Sequence, residues 1–431
     1  MNFLDELSWR GLLHQTAGDQ VEQHLQSGMR VAYCGFDPTA DSLTVGNFLA
    51  IKMLRHWQLC GHQPIVLMGG GTGLIGDPSG KDSERTLQTY EAVEHNINQQ
   101  RLIFERLVDF DDKLPNKALL LNNHEWLKKL SFIEALRDIG KHFSVNQMIQ
   151  RDSVKDRLHN RDQGISYTEF SYMLLQAYDF LYLYQHHGCS VQVAGSDQYG
   201  NIVSGMDLIR RQCGTEEKPA QSFGITNKLV TKSDGTKIGK SAGNAIWLSA
   251  DKTSPYKFYQ FWLNTEDADV VKFLKWFTFL DQTQVSDLEE QHNDAPHQRA
   301  AHNALAEHMT ELVHGIDAVN QAKSASKVLF GGGDVNNIDE STLAELFEDV
   351  PSCEFSKSEL SSENNNLLSI LVQSGLAESN SRAREFLKNG AISVNGQKVD
   401  ERFSLASEHL LHGHTILLKR GKKNWAVTRW Q

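Results

Sequence analysis

The chain of 431 residues has few of the features that mark secreted or membrane proteins. Its five cysteines (Cys34, Cys60, Cys189, Cys213, Cys353) are odd in number and form no C-x-x-C pair, which disfavours a disulfide framework and a structural zinc site. No run approaches the roughly 18 apolar residues of a membrane span. The first eleven residues carry Asp5 and Glu6 and no unbroken apolar core, so neither a signal peptide nor an Arg-rich transit peptide is expected. Positive charge is not in excess either. The formal net charge is -11, which excludes general affinity for phosphate backbones and leaves only local RNA contacts. Together these absences predict a cytoplasmic protein with no membrane partner and no tightly bound metal.

With 40% hydrophobic residues over this length, two or three domains with a substantial core are expected. Short apolar runs at 29–36, 64–68, 118–121 and 190–194 each stop at or within a residue of glycine or polar residues, and helix-period segments such as Phe48 to Cys60 and Glu169 to His186 lie between them. This alternation predicts an α/β fold, a doubly wound parallel sheet of Rossmann-like type. Ligands then bind beyond the C-terminal strand ends, here 33–39, 69–77, 122–123 and 195–198. After Trp247, aromatic anchors at helical spacing (Phe258, Phe261, Trp262, Phe273, Trp276) predict an α-helical domain. Gly331 to Gly333 and the polar run 361–366 suggest a partly ordered linker, and Leu367 onward reads as a small α+β domain with an Asn395-Gly396 turn between two strands. The expected modules are 1–222, a mobile lysine-containing loop at 223–248, a helical domain at 249–325, a linker at 326–366 and the C-terminal domain at 367–431. No internal repeats are evident.

Four segments carry chemistry. Tyr33 to Asn47 is a strand, a Pro38-containing turn and a helix start bearing Thr44, Val45, Gly46 and Asn47. Gly71 to Gly76 fits G-x-G-x-x-G, a weak dinucleotide-binding signal because Pro78 follows Asp77 at once and breaks the expected helix. Lys81 and Arg85 follow at i, i+4, a spacing shared with ordinary solvated helix faces. Tyr172, Gln176 and Asp179 fall at i, i+4, i+7, so one face of an otherwise apolar helix is polar; a buried carboxylate there needs a hydrogen-bond donor. Lys237-Ile238-Gly239-Lys240-Ser241 is a lysine-glycine loop, which alone would read as a solvated hairpin.

Taken in this order, the segments resemble the tyrosyl-tRNA synthetase family of class I aminoacyl-tRNA synthetases. The resemblance covers nearly the whole chain and implies activation of L-tyrosine with ATP and Mg²⁺, transfer to tRNA(Tyr), and a homodimer. It implies that Thr39 donates to the ATP phosphates, that Cys34, Gly35, Asp37, Gly46 and Asn47 line the ATP site, and that Gly46 lets adenine lie against the helix. Tyr33 and Asp179 would bind the phenol hydroxyl; Asp77, Tyr172 and Gln176 would take the ammonium, with Asn123 and Gln192 completing the pocket. Gly195, Asp197 and Gln198 would serve ATP, Asp197 at the ribose. Lys81, Arg85, Lys237, Lys240 and Ser241 would stabilise charge on the leaving pyrophosphate. A site built to bond a hydroxyl rejects the analogue lacking it by roughly 10⁴ to 10⁵, tyrosyl-tRNA synthetase being the known instance. At the C-terminus, Arg382, Arg384, Lys388, Lys419 and Arg420 would face RNA. One position departs from the family pattern: Thr44 stands where a histidine is usual, a loss of roughly 1–3 kcal/mol of transition-state stabilisation if nothing compensates. That departure motivates the alternative, a catalytically impaired relative with an RNA- or adenylate-binding role. A nicotinamide-dependent dehydrogenase would explain Gly71 to Gly76 but neither the lysine loop nor the basic end, and a tryptophan-specific relative is disfavoured by the Tyr33–Asp179 pair.

Overall fold

Strand β2 (Val31–Phe36) lies at the centre of a six-stranded sheet, buried by alternating apolar side chains and flanked on one side by β3 (Gln63–Met68) and on the other by β5 (Cys189–Gly195). The order is β1-β6-β5-β2-β3-β4, with β1 at Leu13–Ala17, β4 at Leu119–Asn122 and β6 at Phe223–Asn227. All neighbours are parallel except β1, which pairs antiparallel with β6. The computed structural model describes the chain except at residues 1, 78–86, 152–153, 156–157, 159–163, 216, 230, 234, 236–237, 242–243, 330–332, 349, 361–366 and 422–423.

The chain forms two compact units, residues 1–253 with 261–313, and residues 254–260 with 314–431. In the first, the sheet is joined by helices α1 (Phe3–Trp9), α2 (Val45–Leu59), α3 (Tyr90–Leu107), α4 (Tyr167–His187) and α5 (Tyr199–Cys213). α2 is buried along most of its length, including Phe48, Ile51, Leu54 and Trp57, as expected of a crossover helix against a parallel sheet. Helices α6 (Asp267–Phe277) and α7 (Gln282–Asp294), with most of α8 (Ala300–His314), belong to this unit too, so the segment read from sequence as a separate helical domain packs largely with the sheet. Buried cations hold it there. Lys52 on α2 donates to the carbonyls of Lys275 and Trp276 at 3.1 and 2.9 Å, and the Arg10 guanidinium donates to Lys275, Thr278 and Leu280. The end of α6 thus presents its orphan carbonyls to the Arg10 guanidinium and to the Lys52 amine, whose pKa burial lowers well below the ordinary lysine value. Glu6 balances Arg10 at 2.7 Å, with both side chains almost fully buried.

In the second unit a sheet of order β11-β10-β12-β13-β9 carries β9 (Ser352–Phe355) in parallel with β13 (Asn424–Trp430), while β10 (Ile392–Val394), β11 (Gln397–Lys398) and β12 (Thr415–Arg420) are antiparallel. β9 lies inside the stretch read as linker, which therefore adds a strand to this sheet. Asn395 and Gly396 both take positive φ (47° and 83°) between β10 and β11, the hairpin geometry their pairing in the sequence predicts. Helices α10 (Leu367–Gln373) and α11 (Asn380–Lys388) share a core with this sheet through Leu371, Ala383, Leu387, Ile392 and Leu418; α9 (Ile316–Leu329) packs in the same unit.

Removing Arg10 leaves the Glu6 carboxylate buried without its counter-charge. Arg10→Ala is expected to cost roughly 3–5 kcal/mol in urea unfolding; a loss below about 1 kcal/mol would show that α6 does not depend on this pair.

Candidate active site

The register of the sheet opens a crevice. β2 and β5 pair only through Val31↔Cys189, Ala32↔Val191 and Tyr33↔Gln192, whereas β2 follows β3 to Phe36↔Met68 and β5 follows β6 to Gly195↔Asn227. Beyond Tyr33 the two central strands part, because the chain winds one way from β2 to β4 and the other way from β5 to β6. This is a topological switch point. A cavity of about 480 Å³ occupies the gap, within the range usual for small-molecule sites. Tyr33, Cys34, Gly35, Asp37, Thr39, Gly46, Asn47, Asp77, Asn123, Tyr172, Gln176, Asp179, Gln192, Gly195, Asp197 and Gln198 all line it. Every residue assigned from sequence to the tyrosine and ATP pockets, apart from Lys240, therefore reaches one cavity; the Lys240 side chain, also assigned to ATP, lies outside the described residues.

Asp179 is 2% exposed. The Trp126 indole N–H donates to its Oδ1 at 2.7 Å and the Asn123 amide to its Oδ2 at 2.8 Å. Burial raises its pKa to about 7, against the lowering effect of those two donors. Nearby, Tyr33 is 1% exposed and its hydroxyl has no hydrogen-bond partner among the described residues; the Gln192 side-chain oxygen is in the same state. Burial raises the Tyr33 pKa further above its ordinary value, and Asp179 adds to the rise, so the hydroxyl keeps its proton. Unspent polar groups of this kind at a cavity wall suit a polar ligand. Cys34 is pushed up to about 12 by burial and so offers no thiolate.

A second group of bonds fixes Asp37: the Thr72 hydroxyl donates to Oδ1 at 2.7 Å and the Tyr172 hydroxyl to Oδ2 at 2.8 Å. A Cβ at Gly69 would fall on the Asp37 carboxylate and one at Gly70 on the Asn122 amide. The glycine run therefore serves close packing of these side chains, and among the described residues a single 3₁₀ turn, Thr72–Leu74, stands where a dinucleotide turn would begin a helix. Gln198, grouped with ATP in the sequence reading, donates to Asp77 at 2.8 Å and accepts from Gln176 at 3.1 Å and Asn201 at 3.1 Å.

At the rim, Thr44 donates to the Asn47 side-chain oxygen through its backbone N–H at 3.0 Å and its hydroxyl at 2.8 Å, capping α2. Val45 N–H donates to Ile246 O, and a Cβ on Gly239 would lie 3.3 Å from Gly46 N, so the lysine-loop backbone runs against the start of α2. Gly239 takes φ +89°, which favours glycine. The backbone of Lys240–Ser241 pairs with Asn244–Ala245. Lys81, Arg85 and Lys237, and the side chains of Lys240 and Ser241, lie outside the described residues.

In the C-terminal unit Arg382, Arg384 and Lys388 are exposed on α11. Lys419 is not: it is 8% exposed, its ammonium 4.4 Å from the Trp425 ring centroid, and burial lowers its pKa. Arg420 donates to the Leu376 carbonyl at 2.8 Å and stacks over Phe386. Lys419 thus turns onto Trp425, while the half-buried Arg420 holds one backbone carbonyl and an aromatic face.

Residues 27–331 match the family described as tRNA synthetases class I (W and Y), and 342–428 the tyrosine--tRNA ligase SYY-like C-terminal domain. The chain is 48% identical, over the full length of both, to the tyrosine--tRNA ligase of Bacillus caldotenax, and 47% identical, again over both full lengths, to tyrosine--tRNA ligase 1 of Bacillus anthracis. The chain belongs to the tyrosyl-tRNA synthetase family. A crystal structure of a C-terminally truncated Aspergillus nidulans mitochondrial tyrosyl-tRNA synthetase superimposes with a TM-score of 0.68 at 32% identity, covering 76% of this chain and 94% of that one. Within this synthetase fold, the sequence reading missed Thr72, Trp126 and Asn201. Trp126 follows the strand-end pair Asn122-Asn123 by a helical turn, a placement that could have marked it; Thr72 was hidden inside the glycine motif.

The folded state holds the Asp179 proton more tightly than the unfolded chain, where a carboxylate titrates near 4. Its stabilising effect is therefore fully present below about pH 4 and lost as pH rises to about 7. In guanidinium unfolding, wild type should lose on the order of 2–3 kcal/mol relative to Asp179→Asn between pH 5 and pH 7.5. Parallel pH profiles for the two proteins would contradict a raised Asp179.

Proposed function

We propose that this chain is a tyrosine–tRNA ligase that activates L-tyrosine with ATP to tyrosyl-adenylate and pyrophosphate, then transfers the tyrosyl group to the 3′ end of tRNA(Tyr). The observation that carries the reading is the buried Asp179 carboxylate together with the partnerless Tyr33 hydroxyl at one cavity. A substrate phenol accepts from Tyr33 and donates to Asp179, whereas phenylalanine would leave the buried Tyr33 hydroxyl unsatisfied and bring Asp179 no further donor. At the other end, Asp77, which accepts from Gln198 and is linked through it to Gln176, together with Tyr172, suits the ammonium group.

ATP enters as its Mg²⁺ complex. Thr39, Cys34, Gly35, Asp37, Gly46, Asn47, Gly195 and Asp197 are its assigned contacts, adenine lying against Gly46, which has no side chain to obstruct it. The tyrosine carboxylate attacks the α-phosphorus, and Lys81, Arg85, Lys237, Lys240, Ser241 and Thr44 are the groups assigned to the departing pyrophosphate. No side chain acts as a covalent nucleophile; positioning and charge stabilisation suffice. Full-length relatives at 47–48% identity carry the ligase name, and the comparisons lend the non-catalytic alternative no support.

Phe132 (65%), Ile133 (68%) and Val145 (57%) are large apolar side chains exposed in this chain, which suits a homodimer. Arg382, Arg384 and Lys388 are the assigned RNA-facing cations of the 367–431 module. Among the described residues no helix is long and apolar enough to cross a membrane, and a cytoplasmic location accords with the free cysteines.

The test is exchange of labelled pyrophosphate into ATP: tyrosine should support it, and phenylalanine and tryptophan should not. Tyr33→Phe should raise KM for tyrosine on the order of tenfold and narrow discrimination against phenylalanine. Equal exchange with phenylalanine by the wild type would refute the assignment of the pocket.

A further inference from the structure

Away from the cavity, three helices of the first unit converge on a cluster that the synthetase reading leaves unused. Asp267 opens α6, His292 lies near the end of α7 and His302 is in the first turn of α8. One ligand atom from each lies within 4.8 Å of the others. His302 is 0% exposed, and neither of its ring nitrogens has a hydrogen-bond partner by geometry, nor does Nδ1 of the half-buried His292. The Thr265 backbone offers the ring only a poorly aligned partner, and a buried imidazole paired so weakly is costly. Asp267 Oδ1 is 3.2 Å from His302 Nε2.

We propose that Asp267, His292 and His302 bind a divalent first-row metal ion of the zinc and cobalt class, which ties α6, α7 and α8 together. Two ligands each about 2.0–2.1 Å from one ion at a tetrahedral angle stand about 3.3 Å apart, which the His302–Asp267 separation already meets. His292 must close by about 1.5 Å from the outer limit of the cluster, a side-chain rotation rather than a helix movement. The rings of His292 and His302 already stand 5.5 Å apart between centroids.

Two imidazoles and one carboxylate form a donor set for borderline metals, and the 71% exposure of the Asp267 side chain leaves the remaining coordination positions to water. The site uses no cysteine, so the cysteine spacing that disfavoured a thiolate zinc site does not bear on it.

The experiment uses the full chain, stripped with chelator and without ATP, titrated with Zn²⁺ by calorimetry and with Co²⁺ by visible absorption. One equivalent should bind per chain, with a rise in Tm under saturating Zn²⁺, since a ligand that binds only the folded state stabilises it. Asp267→Asn and His292→Gln, both at positions with solvent access, should weaken binding at least tenfold and remove the Tm rise. His308→Gln, at an exposed position on the same helix, should leave both unchanged. Absence of stoichiometric binding overturns the proposal, as does binding whose affinity and cobalt spectrum are the same in Asp267→Asn and His292→Gln as in wild type.

Discussion

A carboxylate inside an apolar α/β core must be met by donors, and meeting that requirement at Asp179 organises the whole site. Asn123 reaches it only because β4 ends beside β3, where Leu67↔Leu121 and Met68↔Asn122 set the register. The same Asn123 amide donates to Thr72, and its oxygen accepts from Gly71 N–H at 2.7 Å. Thr72 in turn holds Asp37, Asp37 holds Tyr172, and Tyr172 stands two turns before Asp179 on α4. The bonds close into a ring through β2, β3, β4 and α4. Each strand end is thereby fixed relative to one helix face, which is how a pocket keeps its shape while its remaining polar groups wait for a ligand.

The charge around the cavity follows from the same arrangement. Asp37, Asp77, Asp179 and Asp197 line it, with Lys228 among the described cations beside them. Such walls favour a cationic ammonium and are poor for polyphosphate unless positive groups come from elsewhere. The lysine-bearing segments at 81–85 and 237–241 are the natural source in the synthetase reading. The backbone of Ile238 and Gly239 against the start of α2 brings the second of these segments to the cavity, which Ile238 lines. Substrate identity and pyrophosphate departure thus draw on different parts of the fold, one built into strands and one carried on a loop.

Much of this was legible in the sequence because central parallel strands are apolar on both faces and end in glycine or asparagine: the runs at 29–36, 64–68, 118–121 and 190–194 correspond to β2, β3, β4 and β5. β1 was not legible. His14, Gln15 and Thr16 give a polar edge strand that pairs on one side only, so little burial is written into its composition. The polar stripe on α4 exposed Tyr172, Gln176 and Asp179, but the donors opposite them, Thr72 and Trp126, belong to other elements, and only tertiary packing brings them near. Lys419 shows the converse limit. A basic residue beside tryptophans reads as a nucleic-acid face, yet on β12 its alternation points the ammonium onto Trp425.

Thr44 is where local chemistry bears most directly on rate. Its backbone N–H can only donate, so the Asn47 atom it meets must be the amide oxygen, and this fixes the orientation of that amide. The hydroxyl donates to the same oxygen. With the oxygen occupied twice, Asn47 can offer only its NH₂ group to a nucleotide at the helix start. In the synthetase reading a threonine here sets a short hydroxyl where the family has an imidazole, and in this structure that hydroxyl also orders its neighbour Asn47. In the synthetase reading, order at Asn47 can offset part of the missing imidazole, because a donor already oriented costs no reorganisation when charge develops.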